Sequence, residues 1–177
     1  MLSVSNPLIL IDFDGVFNIV NILEEVSNGW DDVAEFAVTE NRERPDVLLS
    51  PSVVDFFNRI VSLGVVDVEW LTTWKERTTR FPATIGIAEL PWHDSYKNYR
   101  ANPWWKLVAI QSICTADPAR PILWVDDDLA YAKDVARWLP SAPQVEILSP
   151  DTYKGLVRED LDKISAFVAR NTGVHIE

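Results

Sequence analysis

The sequence predicts an α/β protein, a largely parallel central sheet flanked by helices, and three observations predict it. Short apolar runs of strand length alternate with amphipathic segments of helix length. Polar residues follow directly on several of those runs, where a parallel sheet places its functional groups. The chain has 177 residues, 47% hydrophobic and 24% charged, which suits one domain with a core of ordinary size. Residues 1–177 are read as that single domain.

Leu8–Ile11 reads as a buried strand running into Asp12. Residues 16–49 have no clean helical period. Within them 33–38 and 46–49 flank the polar Asn41–Pro45, which predicts a β-hairpin inserted after the first strand. Ser50-Pro51 supplies an N-cap and a first-turn proline. The helix they open carries Val53, Val54, Phe56, Phe57, Ile60 and Val61 on its inner face and stops at Gly64. Val65–Leu71 is the next strand and ends at Thr72-Thr73. Asn102-Pro103 opens a helix that runs to about Cys114 by the same cap logic. Ile122–Val125 is a strand ending at Asp126, followed by a helix through Leu139. Val145–Leu148 is the last strand. Arg158–Arg170 is the last helix, with Leu161, Ile164, Phe167 and Val168 inward.

Composition excludes several classes. No run approaches the roughly 20 apolar residues of a membrane-spanning helix. Met1 to Pro7 puts no Lys or Arg ahead of Leu8–Ile11, and that stretch is too short for a signal-peptide core. The single cysteine, Cys114, leaves no internal disulfide and no cysteine-cluster metal site, so a reducing, cytoplasmic setting is expected. Cys114 itself reads as core, and His93 and His175 have no partners at metal or triad spacing.

Net charge is −11, from 27 acids and 16 bases, so tight non-specific binding of nucleic acid is not expected. The charge is unevenly spread. Residues 24–46 hold eight acids and two bases, whereas 75–106 hold six bases and three acids. That second stretch interleaves Lys75, Arg77, Arg80, Lys97, Arg100 and Lys106 with Trp74, Phe81, Trp92, Tyr96, Tyr99, Trp104 and Trp105. Such a strip can stack bases and steer a phosphorylated end, although most of these rings read as packing.

The chemistry gathers at four places: Asp12-Phe13-Asp14-Gly15, Thr72, Lys106 and Asp126-Asp127-Asp128. Brought together, Asp12, Asp14, Asp126 and Asp127 carry four negative charges, and carboxylates that close cannot all stay ionised without compensation. Lys106 supplies one positive charge and a bound Mg²⁺ two; a proton held on Asp14 completes neutrality. Lys106 falls in the first turn or so of its helix, where the macrodipole disfavours a cation, so an anion is expected beside it.

Leu8-Ile-Leu-Ile-Asp12-Phe-Asp14-Gly15-Val16 resembles the first motif of the haloacid dehalogenase (HAD) superfamily, an apolar strand running into DxDG. Glu69-Trp-Leu-Thr72 resembles its second motif, Lys106 stands where its third-motif lysine falls, and Ile122-Leu-Trp-Val-Asp126-Asp127 resembles its fourth. The intervals from 12 to 72, 72 to 106 and 106 to 126 are 60, 34 and 20 residues.

The resemblance implies a Rossmann-like fold with a β-hairpin flap at 16–49 and no large cap. It implies a Mg²⁺-dependent phosphomonoester hydrolase working through an aspartyl phosphate. Asp12 would be the nucleophile and Asp14 the general acid and base. Asp14 argues against a dehalogenase, because those relatives lack the second aspartate. Mg²⁺ would sit among the Asp12 carboxylate, the Asp14 backbone carbonyl and Asp127, with Asp126 a ligand or one step removed. Thr72, or Thr73 after a one-residue slip, and Lys106 would hold phosphoryl oxygens. Asp128 reads as the cap of the following helix.

Absence of a large cap implies a bulky phosphorylated substrate or a nucleic-acid end, alongside small molecules. The segments Trp70–Trp74, Trp124–Asp127 and Gly155–Leu161 also resemble small RNA-repair-associated, polynucleotide-phosphatase-like members of the superfamily. Two other readings stand beside the enzyme: a catalytically silent HAD-fold binding module and a response-regulator receiver. The receiver pattern places its acidic pair after the first strand and its phosphoacceptor on a middle strand, which this chain does not match.

Overall fold

Strand β1 (Leu8–Ile11) is buried along its whole length because it has a parallel neighbour on each side. The computed structural model describes residues 5–20, 29–38, 47–93 and 104–176. The sheet has the order β4-β1-β5-β6, with β4 Asp67–Trp70, β5 Ile122–Val125 and β6 Val145–Leu148, and every pairing is parallel. A separate antiparallel pair joins β2 (Ala34–Phe36) to β3 (Val47–Leu49), with Glu35 opposite Leu48. This is the pairing expected of the hairpin; its turn, Asn41–Pro45, lies outside the described residues.

Alternation along the strands sends side chains into two cores. Ile9, Ile11, Val68, Trp70, Leu123 and Val125 face one core, which is closed by α1 (Pro51–Leu63), α2 (Phe81–Ile85) and α5 (Arg158–Thr172). Leu8, Leu10, Ile122 and Trp124 face the other, closed by α3 (Trp105–Ala116) and α4 (Lys133–Trp138). The result is three layers in a Rossmann-like α/β arrangement. From β1 the chain crosses over one face to β4, then over the opposite face to β5. The strand order therefore reverses at β1, the switch point at whose carboxyl end an open α/β sheet places its site.

Helix α1 buries Val53, Val54, Phe56, Phe57 and Ile60, each such side chain contributing about 1.5–3 kcal/mol, and ends at Gly64 in the left-handed conformation. Its start corrects the expectation for Ser50. Ser50 occupies the cap position, but its hydroxyl donates to Asp32 Oδ1 at 2.6 Å. Asp32 Oδ2 accepts from the Ser52 amide at 2.8 Å and from the Ser52 hydroxyl at 2.6 Å. A carboxylate before the hairpin thus caps the helix after it, matching the positive end of the helix dipole.

Two further boundaries differ from expectation. Helix α3 begins at Trp105, with Trp104 at the cap position and no side-chain cap; Asn102-Pro103 lies outside the described residues. The helix expected from Asp126 through Leu139 is broken into a 3₁₀ turn at Asp127–Tyr131, then α4, then a second 3₁₀ turn at Leu139–Ser141. Pro140 has no amide hydrogen to extend the ladder, which accounts for the last break. Among the described residues no helix is long and apolar enough to cross a membrane.

Candidate functional site

The strand ladder carries directly into the site. The Asp12 amide donates to the Val125 carbonyl at 3.0 Å, and the Asp126 amide donates to Leu148 at 3.0 Å. The Leu71 amide donates to Ile11 at 2.9 Å. Asp12, Asp126 and Leu71 are thereby set side by side at the carboxyl end of the sheet by backbone pairing, with Thr72 the next residue on. Alternation then separates the first motif: Phe13 goes inward, its ring 4.3 Å from Phe81 and 5.1 Å from Trp74, centroid to centroid. Asp12 and Asp14 are left on the other side.

Lys106, the second residue of α3, is 3% exposed and donates to both carboxylates. Its Nζ is 2.5 Å from Asp12 Oδ2 and 2.6 Å from Asp126 Oδ2. The anion expected beside this lysine is therefore the protein's own pair of aspartates. Asp12 Oδ1 accepts from the Phe13 amide at 2.7 Å, and Asp126 Oδ1 accepts from the Asp128 amide at 3.0 Å. Asp126, not Asp128, is thus the cap of the following 3₁₀ turn, and Asp128 is exposed. Thr72 is buried beneath the Asp12 carboxylate and favours its charged form, while Thr73 is exposed.

Asp127 completes a triad. One carboxylate oxygen from each of Asp12, Asp126 and Asp127 lies within 4.8 Å of the others. Thr152 donates its hydroxyl to Asp127 Oδ2 at 2.6 Å, and Ser149 donates to the Asp127 carbonyl at 3.1 Å. Gly15 explains why glycine follows the second aspartate. It has φ +73°, and a Cβ there would lie 2.2 Å from Asp127 Oδ2. Gly155 plays the same part for the loop after β6: at φ +63°, its Cβ would meet the Val16 carbonyl at 2.7 Å.

Asp14 belongs to a different set of contacts. Its Oδ1 accepts from Asn18 Nδ2 at 2.8 Å and its Oδ2 from the indole Nε1 of Trp74 at 2.8 Å. Asn18 in turn accepts from the Leu48 amide at 3.0 Å, which ties Asp14 to the hairpin. The Asp14 carboxylate is not part of the triad.

The triad holds surplus negative charge. Burial pushes the Asp12 carboxyl up, and Lys106, the Phe13 amide and Thr72 only partly reverse this. Burial likewise pushes Asp126 up to about 7, with Lys106 opposing the rise and the Asp12 charge adding to it. Asp127 is raised by burial and by the Asp12 and Asp128 charges, against its bond from Thr152. Burial works against the charge on Lys106, but Asp12 and Asp126 outweigh it and hold its pKa above the usual lysine value. One ammonium thus serves three clustered carboxylates, and a proton or a further cation must balance the rest. An all-oxygen donor set with unspent negative charge fits a hard divalent cation such as Mg²⁺.

Residue types in local patterns were enough to place Asp12, Asp14, Lys106, Asp126 and Asp127 at this end of the sheet. Asn18, Ser149, Thr152 and the Trp74 indole were not recognised as their partners. Ser149 follows a strand directly, so the strand-end rule itself marks it. Thr152 reaches Asp127 across 25 residues with no periodic signal. Elsewhere, His93 pairs with Glu69 at 2.5 Å on the edge strand, and Trp74, Phe81 and Trp105 are buried in the two cores. Lys97, Arg100, Tyr96 and Tyr99 lie outside the described residues. No protein-family model matches this chain, and a search of curated proteins likewise gives no match.

Proposed function

We propose that this protein is a Mg²⁺-dependent phosphomonoester hydrolase of the haloacid dehalogenase superfamily, working through an aspartyl phosphate. The observation that carries the reading is the buried Lys106 ammonium shared by Asp12 and Asp126, with Asp127 beside them, at the point where the strand order reverses. Asp12, Asp126, Asp127 and the Asp14 backbone carbonyl would hold the cation, which when bound would offset the charge of the carboxylates and of the phosphoryl oxygens.

The chain's own groups account for the rest. Asp12 attacks phosphorus as the bond to the ester oxygen breaks, and Asp14 gives that oxygen its proton. Water then attacks the phosphorus of the aspartyl phosphate, Asp14 takes its proton, and the acyl phosphate bond breaks to return Asp12 and free phosphate. Lys106 exchanges one carboxylate for a phosphoryl oxygen as charge develops there, and Thr72 donates to another. The flanking strands hold these groups still, so little reorganisation is needed during the reaction.

The test is a phosphatase screen with Mg²⁺ across acetyl phosphate, an aryl phosphate, sugar phosphates, nucleotides and phosphorylated oligonucleotides, repeated with metal chelated. Hydrolysis that disappears on chelation and returns with Mg²⁺ is the expected result. Hydrolysis indifferent to divalent metal sinks the mechanism. Binding of phosphate esters without turnover points instead to the silent binding module.

A further inference from the structure

Asp127 is held differently from the two aspartates beside it. Asp12 and Asp126 each directly follow a strand, and each takes the Lys106 ammonium on one carboxylate oxygen and a backbone amide on the other. Asp127 stands one residue further on, at the start of the 3₁₀ turn Asp127–Tyr131, and takes neither. Among the described residues one donor meets its carboxylate, the Thr152 hydroxyl, 2.6 Å from Oδ2. Ser149 holds the backbone of the same residue, donating to the Asp127 carbonyl at 3.1 Å and accepting from the Ala130 amide at 3.2 Å. Both hydroxyls lie in the loop after β6, which is anchored in turn. The Lys154 and Gly155 amides both donate to the Asp151 carbonyl at 2.9 Å and close a turn around Thr152. The Thr152 carbonyl accepts from the Val20 amide at 3.3 Å, and the Leu156 amide donates to Val16 at 2.9 Å. Thr152 is thus tied at its backbone to the segment leading from β1 into the hairpin, and at its hydroxyl to Asp127.

We infer that Thr152 is the positioning residue for Asp127, and that through it the protein favours Mg²⁺ over Ca²⁺. On the Mg²⁺ reading proposed above, from which this follows, Asp127 offers the cation a carboxylate oxygen. The terminal torsion of an aspartate is soft, so a carboxylate without a partner turns freely. The Thr152 hydroxyl on Oδ2 stops that rotation and leaves Oδ1 without a competing donor among the described residues. Mg²⁺ demands near-octahedral oxygens at about 2.0–2.1 Å and gives up its waters reluctantly. Ca²⁺ accepts roughly six to eight oxygens at about 2.3–2.6 Å in adaptable arrangements, both oxygens of one carboxylate included. A fixed Asp127 therefore favours the smaller ion. Releasing it costs Mg²⁺ more than Ca²⁺.

The experiment is calorimetric titration of the metal-free protein with MgCl₂ and, separately, with CaCl₂. Asp127→Asn marks the triad site as the binding that this variant removes. Thr152→Val keeps the shape of the half-buried side chain and loses the hydroxyl. It is expected to weaken Mg²⁺ at that site by about tenfold or more and Ca²⁺ by no more than about threefold. Thr152→Ser keeps the hydroxyl and should stay within about twofold of the wild type for both ions. Loss of packing or of local stability would weaken the two ions alike, so equal losses overturn the assignment. Mg²⁺ affinity unchanged in Thr152→Val overturns it too, as does a Thr152→Ser variant as weak as Thr152→Val. In each of these cases the wild type still binds Mg²⁺ at the triad, and the phosphatase reading is left intact. If Asp127→Asn removes no Mg²⁺ binding, the metal reading itself fails and the role of Thr152 falls with it.

Discussion

The two halves of the site are built on opposite principles. The proposed phosphoryl half, Asp12, Lys106, Asp126 and Asp127, sits on strand ends and a helix start, is nearly closed to solvent and carries more negative charge than its one cation balances. The proposed leaving-group half, Asp14 with Asn18 and Trp74, rests on turns and on the hairpin. Asp14 there has a neutral donor on each carboxylate oxygen. The difference teaches a division of labour. On the proposed function, a common chemical group would be gripped by groups fixed through backbone pairing, whereas a variable one would be met by loop side chains that change without disturbing the sheet.

Removing the proposed nucleophile has the largest expected effect. Asp12→Asn should lower kcat for an aryl phosphate by on the order of four decades or more, since loss of a nucleophile leaves only binding and electrostatics. Because burial already pushes the Asp12 carboxyl up, a neutral amide there should leave the thermal midpoint unchanged or higher. A variant that keeps near-wild-type turnover would place the chemistry outside the phosphoryl half.

Lys106→Met tests the charge balance of the same half. It leaves Asp12, Asp126 and Asp127 without their ammonium and should cost about 3–5 kcal/mol in urea denaturation without metal. Adding Mg²⁺ should recover more stability in this variant than in the wild type. Equal recovery in both would mean that the cation does not bind at the triad.

Trp74→Phe addresses the other half. The ring stays against Phe13 and Phe81, but the donor to Asp14 Oδ2 is lost. Turnover of esters with poor leaving groups should fall by about ten- to a hundredfold, and that of good leaving groups far less, because only the former need the acid. A uniform loss across leaving groups would reduce Trp74 to packing.

The smallest effect lies furthest from the chemistry. Asp32→Ala should cost about 1 kcal/mol by uncapping α1 and leave kcat alone. Burial acts against the Asp32 charge, but bonds from Ser50 and Ser52 outweigh it and hold the pKa below its ordinary 3.8. The stability Asp32 contributes is therefore complete above pH 3.8 and is lost as pH falls through the lower folded value. Urea midpoints between pH 6 and pH 2 for the two proteins should converge at the acidic end. Midpoints that stay parallel would remove Asp32 from the cap.

Sequence by itself determined whatever rests on local period and on residue type at strand ends. Leu8–Ile11, Ile122–Val125 and Val145–Leu148 are strands at the boundaries that their apolar runs predict. Asp12, Lys106, Asp126 and Asp127 could be nominated as neighbours because parallel strands must open their carboxyl ends on one edge. Tertiary structure alone decided which neighbouring residue turned inward and which partner it met. Thr72 rather than Thr73 is buried against Asp12, although alternation continued from the Ile11–Trp70 register would send Thr73 to that face, because the strand has already ended at Trp70. Asp126 took the cap that Asp128 was expected to form, since its other oxygen was already fixed by Lys106. Thr152 and Trp74 reach Asp127 and Asp14 across 25 and 60 residues. Contacts of that span depend on how layers stack and leave no periodic trace in the chain, whereas a strand or helix repeats its pattern every few residues.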